Sequence, residues 1–316
     1  MTKPRSHYVD PHHARYYHIT SRCVRRAFLL GSDPITGKDY NHRKAVFLQR
    51  LKHLSHFFSV NIMAYAIMSN HFHIVVYFDP NGTKHLSDED IAFRWCALFN
   101  QQPIDTPPSI PQSLSDFELN QTIRYHELLI DPQRIQQCRN ALASLSTFMQ
   151  HLKQPFALWA NRQDDCKGHF FESRFYSGAL LDEVDLMACM AYVDLNPVEA
   201  NIARSLREAG HTAVHERLYA DRFDADRLTA YLAPLWEDEA PGEAQQAGGA
   251  NDDTDPQYRP VLPYRLLDYA RQLNLAIVYL TGQQTDLPDG LAPWMVRLLN
   301  RERHKRQAAP FFDYAY

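Results

Sequence analysis

The segment "NIMAYAIMSNHFHIVVYF" (61–78) narrows the choice of fold more than any other part of the chain. Two apolar runs rich in β-branched and aromatic residues flank Ser69–Asn70, the pattern of an antiparallel hairpin. Side chains alternate along a strand, so His71 and His73 leave one face while Phe72 enters the core from the other. Two positions along a strand span about 6.6 Å at a rise of ~3.3 Å per residue, close enough for two imidazoles to meet one cation. A histidine pair on a half-buried strand also occurs with no function, and the chain holds 16 histidines. The pair becomes informative only through what accompanies it.

Around this hairpin the pattern is α+β. "ARYYHITSRCVRRAFLL" (14–30) opens as an alternating strand and ends in Arg22, Arg25 and Arg26. Val46, Phe47, Leu51, Leu54 and Phe58 lie at helical spacing in 39–58, and Ile135, Leu142, Leu145, Phe148, Met149 and Leu152 do so across 131–160. "GHFFESRFYSGALL" (168–181) returns to strand composition, and "DEVDLMACMAYVDL" (182–195) to helix, with Asp182 as its N-cap. These elements predict a mostly antiparallel sheet of four or five strands with helices on one face, plus a helical C-terminal extension. "QQPIDTPPSIPQ" (101–112) reads as loop. The acidic, small-residue stretch 237–260 reads as a flexible linker, and 263–282 and 291–307 as two helices.

Composition removes several function classes. No apolar run reaches the roughly 18 residues of a membrane span, and five cysteines without CxxC spacing read as free thiols in a reducing compartment. The net charge of −4 is misleading, because seven acids fall within 237–255 and the remainder sums to 33 − (37 − 7) = +3. Six Lys/Arg against one acid in residues 1–30 leave a basic surface available for a polyanion.

The second informative stretch is "MACMAYVDLNPVEANIARS" (187–205), where Tyr192 flanks an apolar stripe and Asn196 follows four residues later. If the helix continues, the two share a face. Asn196-Pro197-Val198-Glu199 is equally a helix start, with Asn at the N-cap and Pro at the first helical position, and both readings stay open. The ordered set "YYHITSRCVRRAFL", "YAIMSNHFHIVV", "WANRQDDCKGHFFESRF" and "YVDLNPVEANIA" resembles the single-tyrosine HUH transposases, specifically their REP-associated branch, over about residues 15–210. The resemblance implies a ferredoxin/RRM-like core and a domain over 1–210 with an insertion at 79–130. The resemblance does not extend beyond it, where a helical extension over 211–236, the linker and a helical region over 261–316 follow; that last region could bind the DNA hairpin, mediate oligomerisation or cover the active site.

The activity so implied is a metal-dependent single-stranded DNA endonuclease and strand transferase acting on hairpin, REP-like palindromic DNA. Tyr192 would attack and form a 5′-phosphotyrosine, while His71, His73 and Asn196 would hold Mg²⁺ or Mn²⁺. Arg22, Arg25, Arg26, His169, Glu172 and Arg174 are the DNA-contact candidates, with Phe170 or Phe171 available to stack on a base. Tyr176 is the rival nucleophile, and Cys166 with His169 are possible further ligands for a zinc reading. Two alternatives are an idle hairpin-binding protein and a phosphodiesterase with no covalent step. The expected setting is the bacterial cytoplasm, nucleoid-associated, as monomer or homodimer.

Overall fold

A computed structural model describes residues 9–99, 119–219, 231–233, 235–236 and 262–308. The strands are β1 (Arg15–Arg22), β2 (Val60–Ile67), β3 (His71–Phe78) and β4 (Tyr176–Leu180), joined in one antiparallel sheet of order β2-β3-β1-β4. Helix α1 (His42–Ser55) links β1 to β2. After β3 come α2 (Asp88–Leu98), α3 (Leu119–Leu129), α4 (Pro132–Leu142) and α5 (Leu145–Gln163), which lead to β4. Setting α2 to α4 aside, the order β1-α1-β2-β3-α5-β4 with the outer strands β2 and β4 is the ferredoxin-like βαββαβ arrangement. The four-stranded α+β sheet expected from the sequence is what forms.

One sheet face is packed by α1 and α5. Phe72 meets Phe47 of α1 at 4.7 Å between ring centroids, and Phe47 meets Phe156 of α5 at 5.1 Å. Phe170 and Phe171 complete this aromatic cluster and are both buried, so the core role expected for at least one of them is taken by both. The opposite face, carrying His71 and His73, is covered by α6 (Glu183–Glu199), so helices lie on both faces. Helix α7 (Ala213–Tyr219) packs on β2, while α8 (Leu266–Leu280) and α9 (Pro293–Ala308), within the expected helical C-terminal region, pack on α6. Between α7 and α8 come two short paired segments, β5 (Leu235–Trp236) and β6 (Leu262–Arg265). The linker reading for 237–260 falls outside the described residues, as does the proline-rich 101–112. No helix among the described residues is long and apolar enough to cross a membrane.

Two local differences from the sequence reading have physical causes. The helical pattern of 131–160 is two helices, because Ser144 breaks the run and its hydroxyl accepts from the Thr147 N–H as the cap of α5. The strand composition of 168–181 yields ladder pairing only from Tyr176, the earlier part contributing an isolated Cys23–Phe171 bridge.

The face of α1 turned to the core holds one polar misfit. His53 is 9% exposed, its Nδ1 has no hydrogen-bond partner among the described residues, and its ring packs edge-on against Phe57. Burial, reinforced by the Arg50 charge, pushes its imidazole down to about 4. The folded chain therefore refuses a proton that the unfolded chain accepts below about pH 6.5, so stability is lost as pH falls from 6.5 towards 4. At ~1.4 kcal/mol per pK unit the loss due to His53 is about 3 kcal/mol. Urea titrations at pH 7.5 and 4.5 are expected to show that share of the acid loss disappear in His53→Leu.

Candidate active site

β1 and β3 are antiparallel with His73 opposite Thr20 and His71 opposite Arg22. Opposed residues share a face, so His18, Thr20 and Arg22 line up beside His71 and His73. The sequence prepared the two β3 imidazoles; a third, His18, becomes their neighbour only through the strand register. His18 Nε2 lies 2.9 Å from His73 Nδ1, with the ring centroids 5.1 Å apart and the ring planes within 19° of parallel. The His71 and His73 rings stand edge to face at 5.0 Å.

Helix α6 brings Tyr192 onto this cluster. Its ring stands edge to face with His73 at 5.4 Å and with His18 at 6.0 Å. Asp182 caps the helix by accepting from the Asp185 N–H, and the helix then runs unbroken through Pro197 to Glu199. This decides the question left open at Asn196. It sits inside α6, not at the cap of a new helix, one turn beyond Tyr192 and on the same face. Its side chain is buried beside the His71 imidazole and favours the protonated form of that ring. The proline is tolerated although it removes one helical N–H donor, and its carbonyl accepts from Ile202 and Ala203 as the chain turns away.

The electrostatics follow from burial. His71 is pushed down to about 4, first by desolvation and then by the Arg22 charge, with the Asn196 side chain opposing. It is neutral at physiological pH, the form in which imidazole binds metals. Tyr192 is pushed up to about 12 by desolvation, with Glu302 of α9 the next contributor and Arg301 opposing it. Helix α9 thus runs along α6, where Arg297 also pairs with Asp185 at 3.1 Å. The basic run "RERHKRQ" (301–307) belongs to this helix, and its first two residues, Arg301 and Glu302, are the ones that influence the tyrosine.

His71 Nδ1 is 2.7 Å from Asn70 Oδ1, an acceptor, so Nδ1 carries the proton and Nε2 the lone pair. Thr20 is 6% exposed on the same face, and its hydroxyl has no hydrogen-bond partner among the described residues. A buried polar atom of this kind calls for a water or ion. Two imidazoles and a carboxamide fit Mg²⁺ or Mn²⁺, whose remaining positions go to water and phosphate oxygens. No cluster of three or more His, Cys, Asp or Glu side chains that could hold a metal occurs among the described residues. Cys166 is exposed and donates to Asn161, and His169 is exposed, so a four-ligand zinc set is not assembled from them.

The DNA-contact candidates border the same end of the sheet. Arg22 is half-buried opposite His71, and Arg25 and Arg26 follow on an exposed turn with φ of 56° and 55°. The Glu172 N–H donates to the Arg22 carbonyl at 2.9 Å, and Glu172, Arg174 and His169 are exposed. Tyr176, 58% exposed, lies opposite Thr20 and therefore on the histidine face too.

One solved structure similar to this chain is that of the REP-associated tyrosine transposase bound to a REP hairpin, at 13% identity and a TM-score of 0.37, covering 70% of this chain and 87% of that one. A likeness of that order is too slight to transfer a site. No family model and no curated protein matches.

Proposed function

We propose that this chain is a metal-dependent endonuclease and strand transferase that acts on single-stranded hairpin DNA through a covalent tyrosine intermediate. The observation that carries the reading is the meeting of Tyr192 from α6 with His73 and His18 from the sheet, while Asn196, one turn on, reaches His71. A nucleophile and a ligand pair drawn from elements more than a hundred residues apart share one partly buried compartment.

His71, His73 and Asn196 would hold the cation. When bound, Mg²⁺ or Mn²⁺ withdraws charge from the scissile phosphate and favours the phenolate. The chain supplies the remainder. Tyr192 Oη attacks phosphorus, the P–O3′ bond breaks, and the 3′ oxygen leaves and takes a proton. The 5′ end stays on the protein as a phosphotyrosine. The phosphodiester is conserved, so a later 3′-hydroxyl can attack and expel Tyr192 with no nucleotide triphosphate. Burial pushes the Tyr192 phenol up to about 12, further from ionising than a free tyrosine, so the attacking hydroxyl starts protonated. Arg22, Arg25, Arg26 and Arg174 would hold the backbone through salt-sensitive phosphate contacts, with His169 and Glu172 at the rim. Such an enzyme belongs in the bacterial cytoplasm beside its DNA.

A fluorescent hairpin oligonucleotide incubated with Mg²⁺ or Mn²⁺ tests this. The expected product is a denaturation-resistant adduct, mapped by mass spectrometry of tryptic peptides to Tyr192, with a free 3′-hydroxyl on the released strand. Cleavage without adduct would mark a hydrolytic phosphodiesterase. Binding with neither would mark an idle DNA-binding protein.

A further inference from the structure

We propose that His18 is the positioning residue that fixes the tautomer of His73 and so makes His73 Nε2 a metal ligand. The role rests on the nuclease reading for its purpose, but its geometry stands by itself. A neutral imidazole carries one proton on either of two nitrogens, and a metal can take only the nitrogen without it. His73 is 4% exposed, so water cannot be the general partner that settles the choice. The nitrogen of His73 facing β1 is Nδ1, and 2.9 Å away stands His18 Nε2.

The arrangement repeats at the neighbouring ligand by different means. His71 Nδ1 meets Asn70 Oδ1 at 2.7 Å, an oxygen that can only accept. His71 is thereby set with its proton on Nδ1 and its lone pair on Nε2. If His73 Nδ1 likewise donates to His18 Nε2, both members of the His-Phe-His pair would offer Nε2 to a cation. The reverse bond, from His18 to His73 Nδ1, would put the His73 proton on Nε2 and close that atom to a metal. His18 accepts only while its own proton is on Nδ1. The near-parallel rings, 19° apart, keep the bond in register, and the diagonal placement across β1 and β3 is what the His18–Val75 and Thr20–His73 pairing dictates. Outer partners that orient ligating histidines in this way typically change metal affinity by about 10- to 100-fold when removed.

The test reads the tautomer directly, in metal-free protein labelled with ¹⁵N-histidine. Long-range ¹H–¹⁵N spectra are expected to show His73 with Nδ1 protonated and Nε2 bare. In His18→Phe the His73 pattern is expected to move towards Nε2–H, and in His18→Gln, whose side-chain oxygen accepts, to return to the parental one. Mn²⁺ titration followed by electron paramagnetic resonance is expected to give a Kd about 10- to 100-fold weaker for His18→Phe and near parental for His18→Gln. Hairpin binding in EDTA is expected to be unchanged. An Nε2–H His73 in the parent protein overturns the assignment, as does a tautomer and Mn²⁺ Kd indifferent to His18→Phe. If His18 governs both readouts but no Tyr192 adduct ever forms, the nuclease reading fails and the His18 role survives. If the adduct forms while both readouts ignore His18, the reverse holds.

Discussion

Tyr192→Phe is expected to fold as the parent does, to bind hairpin DNA as the parent does, and to cut it at least about 10⁴-fold more slowly, with no covalent adduct. That factor corresponds to ~5 kcal/mol of barrier. The substitution removes one oxygen and leaves the ring that stands against His18 and His73, so the packing of α6 on the sheet is untouched. Loss of activity with an unchanged melting temperature therefore assigns the oxygen to chemistry. A persistent adduct in Tyr192→Phe would sink the assignment and point to Tyr176. Tyr176 is exposed on the same sheet face, opposite Thr20, and is the phenol a strand could reach without moving α6. Tyr176→Phe is accordingly the control, expected to keep the adduct and to alter at most DNA affinity.

Much of this site was legible because it obeys short-range periodicities. The alternation of "HFH" put two imidazoles on one face, and the spacing of four put Asn196 below Tyr192. What remained hidden depended on register and on distant packing. His18 sits in a strand whose alternation was evident, yet nothing local to "YYHITSR" says that position 18 lies diagonal to position 73. At Asn196 local chemistry pointed both ways. An Asn-Pro pair favours a helix start, and the helix continues because the residues from Val193 to Val198 are all buried against their surroundings, packing that offsets one lost backbone bond. The same logic explains Phe170 and Phe171. An aromatic pair beside a basic segment suits base stacking, but the α1–α5 cluster needed both rings. The approach of α9 to Tyr192 is a contact across more than a hundred residues, and charge composition carries no address of that kind.

What holds α6 in place is a buried carboxylate, and its removal is expected to cost about 3–4 kcal/mol. Asp194 is fully buried; Oδ1 accepts from the Val214 N–H at 3.0 Å and Oδ2 from the Tyr269 hydroxyl at 2.8 Å. It lies two residues past Tyr192, about 200° around the helix, so α6 presents its chemistry to the sheet and its anchor to α7 and α8. Asp194→Ala strands two buried donors at ~1–3 kcal/mol each, whereas Asp194→Asn keeps an oxygen for Val214 and is expected to retain most of the stability. The pH dependence separates these effects further. Desolvation raises Asp194 to about 6 despite the opposing Arg217 charge, so the folded chain keeps a proton that the unfolded chain releases near 3.8. Stability is then lost as pH rises from about 4 to 6, by about 3 kcal/mol. His53 works in the opposite sense over nearly the same window, its folded value lying near 4. The two slopes offset each other in the parent. Asp194→Asn is expected to steepen the loss on acidification by about 3 kcal/mol and His53→Leu to lessen it by as much. The double variant should run parallel to the parent from pH 4 to 7. Urea titrations of the four proteins at half-unit steps decide it: a double variant departing from the parent's slope by more than about 1 kcal/mol would mean that these two groups do not carry the opposing terms.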